Sequence, residues 1–422
     1  MNHHALGIVP ARLLLPAPQV DPAKWACVAC DQYTSQPEYW QEVRALAGDA
    51  PSCCKLVLPE CDLPRTDALV PCIQQEMSRY LSDGTLTPQV ADGFVLIERT
   101  TQSGQRIGLV CTVDLEQYDY TGAKSLIRPT EQTITSRLPA RLAIRRGAPL
   151  ESSHIMLLMD DPLRSVLEPL YARRDTLPLL YDFTLMQQGG HLRGWAVTKA
   201  EDHAAIYAAL EALKARLGAD PLLFAVGDGN HSLATAKAHW EELKATLSPD
   251  ALQEHPARYA MVEVENIHDE ALQFEPIHRV VTGVDPAAML QDWAQYCTDR
   301  GMALAIDAAP AAGDQLVTLT MANAEQTAVI RQPDGPLPVA TLQTWLDDFL
   351  ARHPEAEIDY IHGDDVVRRL AAAPDAIGFL LPPLDKSAFF TAIQVLGILP
   401  RKTFSMGHAH EKRFYMECRA IV

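Results

Sequence analysis

A chain of 422 residues exceeds the roughly 250–300 residues that a single hydrophobic core supports, so two or three structural units are expected. With 48% hydrophobic and 21% charged residues it has ample material for packed cores, and no apolar run reaches the roughly 18 residues of a membrane span. Its 54 acidic residues against 36 basic ones leave a formal charge of −18, which disfavours general binding to nucleic acid or to anionic lipid.

The start, Met1-Asn2-His3-His4-Ala5, lacks the basic and apolar stretches of a secretory signal, so the cytoplasm is the expected location. Nine cysteines, an odd number, are then expected to be reduced thiols. Cys27 and Cys30 form a C-x-x-C without a second such pair to complete four zinc ligands, and ordinary thiols are the expected reading.

Along the first 120 residues, short apolar runs alternate with turn signals. A helix is expected over Leu69–Leu81, and Gly93–Arg99 and Gln105–Val113 read as strands paired across Gln102-Ser103-Gly104. Ile155–Met159 reads as a strand ending at Asp160-Asp161, and His203–Leu217 as an amphipathic helix stopped by Gly218. Leu222–Val226 suits a buried strand, and Ser232–Leu247 is helical again. Beyond Asp285 come a helix around Ala287–Tyr296, strands near Ala303–Ile306 and Gln315–Met321, a helix over Leu342–Arg352, and a closing strand pair, Ile377–Leu381 with Phe414–Cys418. The pattern predicts a mixed α/β (α+β) fold: a core over 1–285, a smaller α/β lobe over 286–385, and a segment 386–422 returning to the core. Oligomeric state is left open.

The strongest chemical signal is Gly227-Asp228-Gly229-Asn230-His231-Ser232 between a strand and a helix. Two glycines allow a sharp turn and a close backbone approach, and the helix that follows presents N–H groups and a positive dipole end to an anion. Ser232 can cap the helix or donate to phosphate. Asp228 can hold a hydroxyl or a magnesium ion, and His231 can donate or move a proton. The same pattern also makes an ordinary capped turn, and it is neither a Walker loop nor a dinucleotide fingerprint.

A second constellation runs from Arg128-Pro129-Thr130-Glu131-Gln132-Thr133 to Arg137, Arg141 and Arg145. Spacing of four aligns these arginines on a helix face; if Pro139 opens that helix, only Arg141 and Arg145 are surely aligned. Their forks suit phosphate or carboxylate. Scattered candidates are His154 with Asp160-Asp161, His278-Arg279, and a basic tail containing Arg401, Lys402, His408, His410, Lys412 and Arg413.

In this order the motifs resemble the bacterial and archaeal family catalogued as domain of unknown function 1015. The residues that carry the resemblance are Ala29–Ser35, Glu131-Gln132-Thr133, Asp228-Gly229-Asn230-His231, Glu275–Arg279 and Arg401–Phe404. The family loop, usually Asp-Gly-His-His-Arg, is in turn similar to that of free serine kinases of the ParB and sulfiredoxin superfamily. The resemblance therefore implies a ParB/sulfiredoxin-like core and an ATP- or ADP-dependent, magnesium-assisted phosphotransferase acting on a small hydroxyl compound, with free serine or phosphoserine favoured.

On that resemblance, Asp228, Gly229 and His231 fall on phosphate-loop positions, with Gly227, Asn230 and Ser232 completing the loop. Glu131 is the candidate base, and Thr133, His278 and Arg279 are candidate substrate contacts. Asn230 and Ser232 depart from the family's His and Arg, so Arg137, Arg141 or Lys402 must supply the missing charge. A phosphoserine phosphatase and a nucleotide-binding regulator without turnover are the rival expectations.

Overall fold

The computed structural model describes residues 3–422 except position 323; for His3, His4 and Arg137 it describes the backbone alone. The chain divides into two compact units, Met1–Gln273 with Gly407–Val422, and Phe274–Met406. Both are mixed helix and sheet.

The first unit is built on a ten-stranded sheet. Its main path runs Ile127–Pro129, Phe224–Asp228, Met156–Met159, Tyr259–Asn266, Gly104–Asp114, Leu86–Thr101, His191–Val197, Leu179–Thr184. Phe224–Asp228 lies parallel to Ile127–Pro129, and Tyr259–Asn266 lies parallel to Met156–Met159, while the remaining pairs are antiparallel. The expected hairpin is present, with Arg99 opposite Arg106 and Thr101 opposite Gly104.

Both faces of this sheet are covered, which explains why its strands read as nearly continuous apolar runs. Val95, Ile97 and Val110 pack on one face with Trp25, Trp40, Val43, Ile73, Met77 and Tyr80. Phe94, Leu96 and Leu109 pack on the other, under Ile206, Leu210 and Leu213 of helix Ala200–Lys214 and under Leu233, Ala236 and Trp240 of helix Asn230–Lys244. Two-residue alternation thus divides one hairpin between two cores.

The second unit has an antiparallel sheet in the order Ala303–Ile306, Ala324–Arg331, Gln315–Met321, Ala376–Leu380, Phe274–Thr282, Glu357–His362, with Phe404–Met406 also paired to Phe274–Thr282. Trp293 and Trp345 stack with ring centroids 4.7 Å apart, and Phe379 meets both edge-on.

The expected strand pairing between Ile377–Leu381 and Phe414–Cys418 is not formed. Ala376–Leu380 pairs within the second unit, whereas Phe414–Tyr415 pairs with Cys27–Val28 in the first. An apolar run signals a strand but carries no information about a partner nearly 400 residues away. Among the described residues no helix is long and apolar enough to cross a membrane.

Candidate functional site

The strand Phe224–Asp228 delivers the chain to Gly229, whose φ of +79° is left-handed backbone open to glycine at little cost. A Cβ there would lie 3.0 Å from Ile155 Cα, so glycine also lets the loop close against the His154–Ile155 backbone. Helix Asn230–Lys244 starts at once, and among the described residues no side chain caps its amino end. Asn230 instead braces the neighbouring segment. Its Oδ1 accepts from Thr130 N–H at 3.1 Å, its Nδ2 donates to Thr130 Oγ1 at 3.2 Å, and that hydroxyl donates to Val226 O at 2.6 Å. Both the oxygen and the nitrogen of this carboxamide are thus engaged with Thr130.

Around this helix end the first unit gathers side chains that are far apart in sequence. His154 Nε2 lies 3.2 Å from Ser232 Oγ and 3.7 Å from Asp31 Oδ2, while its Nδ1 is 2.7 Å from Tyr415 Oη. Lys412 Nζ is 3.3 Å from Asp228 Oδ2, and its charge also acts on Asp31. Asp228 Oδ1 accepts from Gly229 N–H at 2.9 Å. The ribbon of Cys27–Val28 with Phe414–Tyr415 brings the Cys30-Asp31 turn and the Lys412–Tyr415 segment together.

Burial lowers the His154 pKa, but the Asp31 carboxylate, the Cys30 side chain and the Asp228 carboxylate outweigh it and carry the value up to about 9. Burial raises the Asp31 value, yet His154, the Gln32 amide and Lys412 hold it below the ordinary carboxylate range. At neutral pH the pair is thus imidazolium and carboxylate.

These shifts set the pH range of the pair. A histidine raised from 6.5 to about 9 contributes stability that is fully present below about 6.5 and is lost as pH rises through about 9. The lowered Asp31 contributes stability present above 3.8 and lost as pH falls through its folded value. Any inorganic phosphate bound at this helix end is expected to be released with a midpoint near pH 9, and His154→Gln should remove that step. Isothermal titration across pH 6–10 checks this; an unchanged midpoint in the variant would refute the assignment to His154.

The remaining candidates have the following positions. Glu131 is half-buried beside Thr130, which is bonded to Asn230. Thr133 is buried, and its hydroxyl has no hydrogen-bond partner among the described residues. His231 Nε2 accepts from Ile134 N–H at 3.3 Å, which ties the loop to the same segment. The side chain of Arg137 lies outside the described residues.

The helix Leu138–Arg145 holds Pro139 in its first turn, but its arginines have acidic partners. Arg141 pairs with Glu60, and Arg145 with Glu151 at 2.7 Å. Arg128 is buried against Asp220. Asp161 accepts from Ser165 and Val166 N–H and so makes a turn, while Asp160 pairs with His268 at 2.6 Å.

His278, Arg279 and Lys402 belong to the second unit. His278 uses both ring nitrogens, accepting from Leu381 N–H at 3.1 Å and meeting Asp364 at 2.9 Å. Arg279 is fully buried; burial lowers its value to about 10, and it donates to Gln343 Oε1 and to the carbonyls of Ile277 and Arg401. The basic tail is divided between the units, with Arg401 and Lys402 in the second and Lys412 and Arg413 in the first. Among the described residues no three His, Cys, Asp or Glu side chains come together as a ligand set for a metal.

Sequence reasoning reaches Asp31 only as a family mark, His154 and Lys412 only among scattered groups, and Tyr415 only within an expected strand. Nothing local in the sequence distinguishes them. What marks them is that they meet.

A family model covers most of the residues that build this geometry. The model described as "Protein of unknown function (DUF1015)" matches residues 8–356. The chain belongs to the DUF1015 family. The matched stretch includes Asp31, His154 and the loop, while Lys412 and Tyr415 follow it. None of the curated proteins matches the chain.

Among solved structures it is similar to a free serine kinase in complex with AMP, at 12% identity and TM-score 0.36, covering 74% of this chain and 91% of that one. A conserved hypothetical protein from Pyrococcus furiosus is 11% identical at TM-score 0.35, covering 73% and 90%. SbnI with C-terminal truncation from Staphylococcus aureus is 12% identical at TM-score 0.34, covering 73% and 82%.

Proposed function

We propose that the first unit is a nucleotide-dependent phosphotransferase acting on a small hydroxyl compound. The observation that carries this reading is the convergence of an uncapped helix amino end, the His154 imidazolium, the Lys412 ammonium and two carboxylates, Asp31 and Asp228. Phosphoryl transfer asks a protein chiefly for positioning and charge neutralisation, with one carboxylate to accept the hydroxyl proton.

In this scheme the Gly227–Ser232 backbone cradles phosphate, His154 and Lys412 neutralise it, and Ser232 donates to it. Asp31 is ionised and lies beside His154, so it takes the proton of the acceptor hydroxyl. Glu131 and Thr133, on the Thr130 side of the loop, contact the acceptor. A magnesium ion suits Asp228 as one carboxylate completed by nucleotide phosphates and water, and would neutralise phosphate charge there. Asp228 is now engaged by Lys412, which would pass to the phosphate instead.

We take serine, the compound for which the similar kinase is named, as the first acceptor to test. Phosphorus NMR of the protein with magnesium, ATP or ADP, and L-serine is expected to show a serine phosphate resonance that is absent in Asp228→Ala. Orthophosphate released from phosphoserine alone would make the protein a phosphatase. No turnover with nucleotide still bound would make it a regulator.

A further inference from the structure

Lys412 occupies the position on Asp228 that a metal ion would need. Its Nζ lies 3.3 Å from Asp228 Oδ2, while Asp228 Oδ1 accepts from Gly229 N–H at 2.9 Å, so both carboxylate oxygens are engaged. The root of the lysine is fixed. Arg99 donates to the carbonyl of Lys412 and, at 2.6 Å, to that of Glu411, and Arg106 donates to Glu411 O at 3.2 Å. The Glu411 carboxylate accepts from Ser103 N–H at 2.9 Å and from His408 N–H at 3.0 Å, which ties the same segment to the hairpin turn. The flexible side-chain stem is what remains to carry the ammonium from one partner to another.

This pair differs from the one beside it in sequence. Arg413 spends Nε and both terminal nitrogens on Ser153 O, Glu263 and Glu417, and the Arg413 and Glu263 side chains are each 2% exposed. The Lys412 and Asp228 side chains are 9% and 17% exposed, and among the described residues Asp228 is the one carboxylate paired with Lys412. Water reaches this pair, so an incoming anion can draw the ammonium away. Arg413 is locked in place.

The charged side chains that meet at the helix end cancel, with His154 and Lys412 against Asp31 and Asp228. A free dication therefore finds no excess of negative charge there, and it meets an ammonium at the oxygen it would take. Among the described residues no three His, Cys, Asp or Glu side chains stand ready as a ligand set. Magnesium dehydrates reluctantly and is usually held by one or two carboxylates together with substrate phosphates. A diphosphate or triphosphate reverses this balance. It brings several negative charges, offers Lys412 another anion, supplies oxygens for the metal and so frees Asp228 Oδ2.

We infer that Lys412 is a resident counter-ion that keeps divalent metal off Asp228 until a polyphosphate draws it away. The site then takes the metal complex of a nucleoside diphosphate or triphosphate and not the free ion, an assignment that rests on the phosphotransferase reading for the place of the phosphates. Linkage makes the coupling reciprocal: nucleotide raises metal affinity by the same factor by which metal raises nucleotide affinity.

The test is manganese, a paramagnetic stand-in for magnesium at oxygen ligands, titrated into the full chain and followed by water proton relaxation. Without nucleotide, Lys412→Met is expected to bind manganese at least about tenfold more tightly than the wild type, and adding Asp228→Asn should abolish the gain. Lys412→Gln takes the place of the methionine variant if that protein does not fold. Lys412→Arg keeps the charge and should stay at the wild-type level. With ADP present, the wild type should form a protein–manganese–ADP complex and hold the metal at least about tenfold more tightly. Equal nucleotide-free affinity in the wild type and in the folded neutral variant would overturn the inference. So would a gain shared by Lys412→Arg, a gain that survives Asp228→Asn, or no ternary complex in the wild type. The titration reads no turnover, so gated metal binding without serine phosphate would sink the transfer alone, and serine phosphate without gating would sink the gate alone.

Discussion

Asp31→Asn is expected to lower kcat for phosphoryl transfer by about 10²–10⁴-fold while leaving nucleotide affinity within about threefold. The amide keeps the shape and a contact to His154, but it cannot accept the acceptor's proton. Because Asp31 is the largest of the influences that keep His154 protonated, the variant's His154 should also titrate lower than about 9. Initial rates with single-turnover analysis and histidine NMR titration read both effects. Glu131→Gln, on the other side of the loop, is the paired control. Loss of kcat in that protein with full activity in Asp31→Asn would return the base role to Glu131.

Arg413→Met is expected to destabilise the first unit by about 3–5 kcal/mol. Arg413 is 2% exposed and lies between two buried carboxylates, pairing with Glu263 and with Glu417 at 2.8 Å. Its Nε donates to Ser153 O at 2.8 Å. Tyr181 Oη donates to Glu417, which closes the network.

The arginine's value is raised because those two carboxylates outweigh the burial that lowers it. Removing the guanidinium leaves two carboxylates in a water-poor interior, and that desolvation, rather than a lost surface attraction, sets the magnitude. Arg413 also lies between Lys412 and Tyr415 and holds the carbonyl next to His154, so nucleotide affinity should fall with stability. Urea unfolding with an unchanged slope measures the first effect, and a loss under about 1 kcal/mol would refute the role.

Local pattern was enough for the features that local neighbours create. Apolar runs on either side of the polar turn Gln102-Ser103-Gly104 marked the hairpin of Leu86–Thr101 with Gly104–Asp114, and apolar spacing marked helices that the structure places at Thr66–Ser82, Ala200–Lys214 and Asn230–Lys244. The glycine-rich loop was legible too, since a left-handed residue between a strand and a helix leaves a compositional trace at Gly229. These features depend on neighbours within a few residues, and that is the range over which a sequence reads directly.

Which charges remain for chemistry is a matter of packing. Arg128, Arg141 and Arg145 look like a phosphate clamp in sequence, but Asp220, Glu60 and Glu151 answer them, and no spacing rule shows such partners. Conversely, Asp31, His154 and Lys412 look ordinary until the Cys27–Val28 and Phe414–Tyr415 ribbon brings the two ends of the chain to one helix terminus. A titratable group acquires its function from the charges and the burial around it, and those are set by contacts across hundreds of residues.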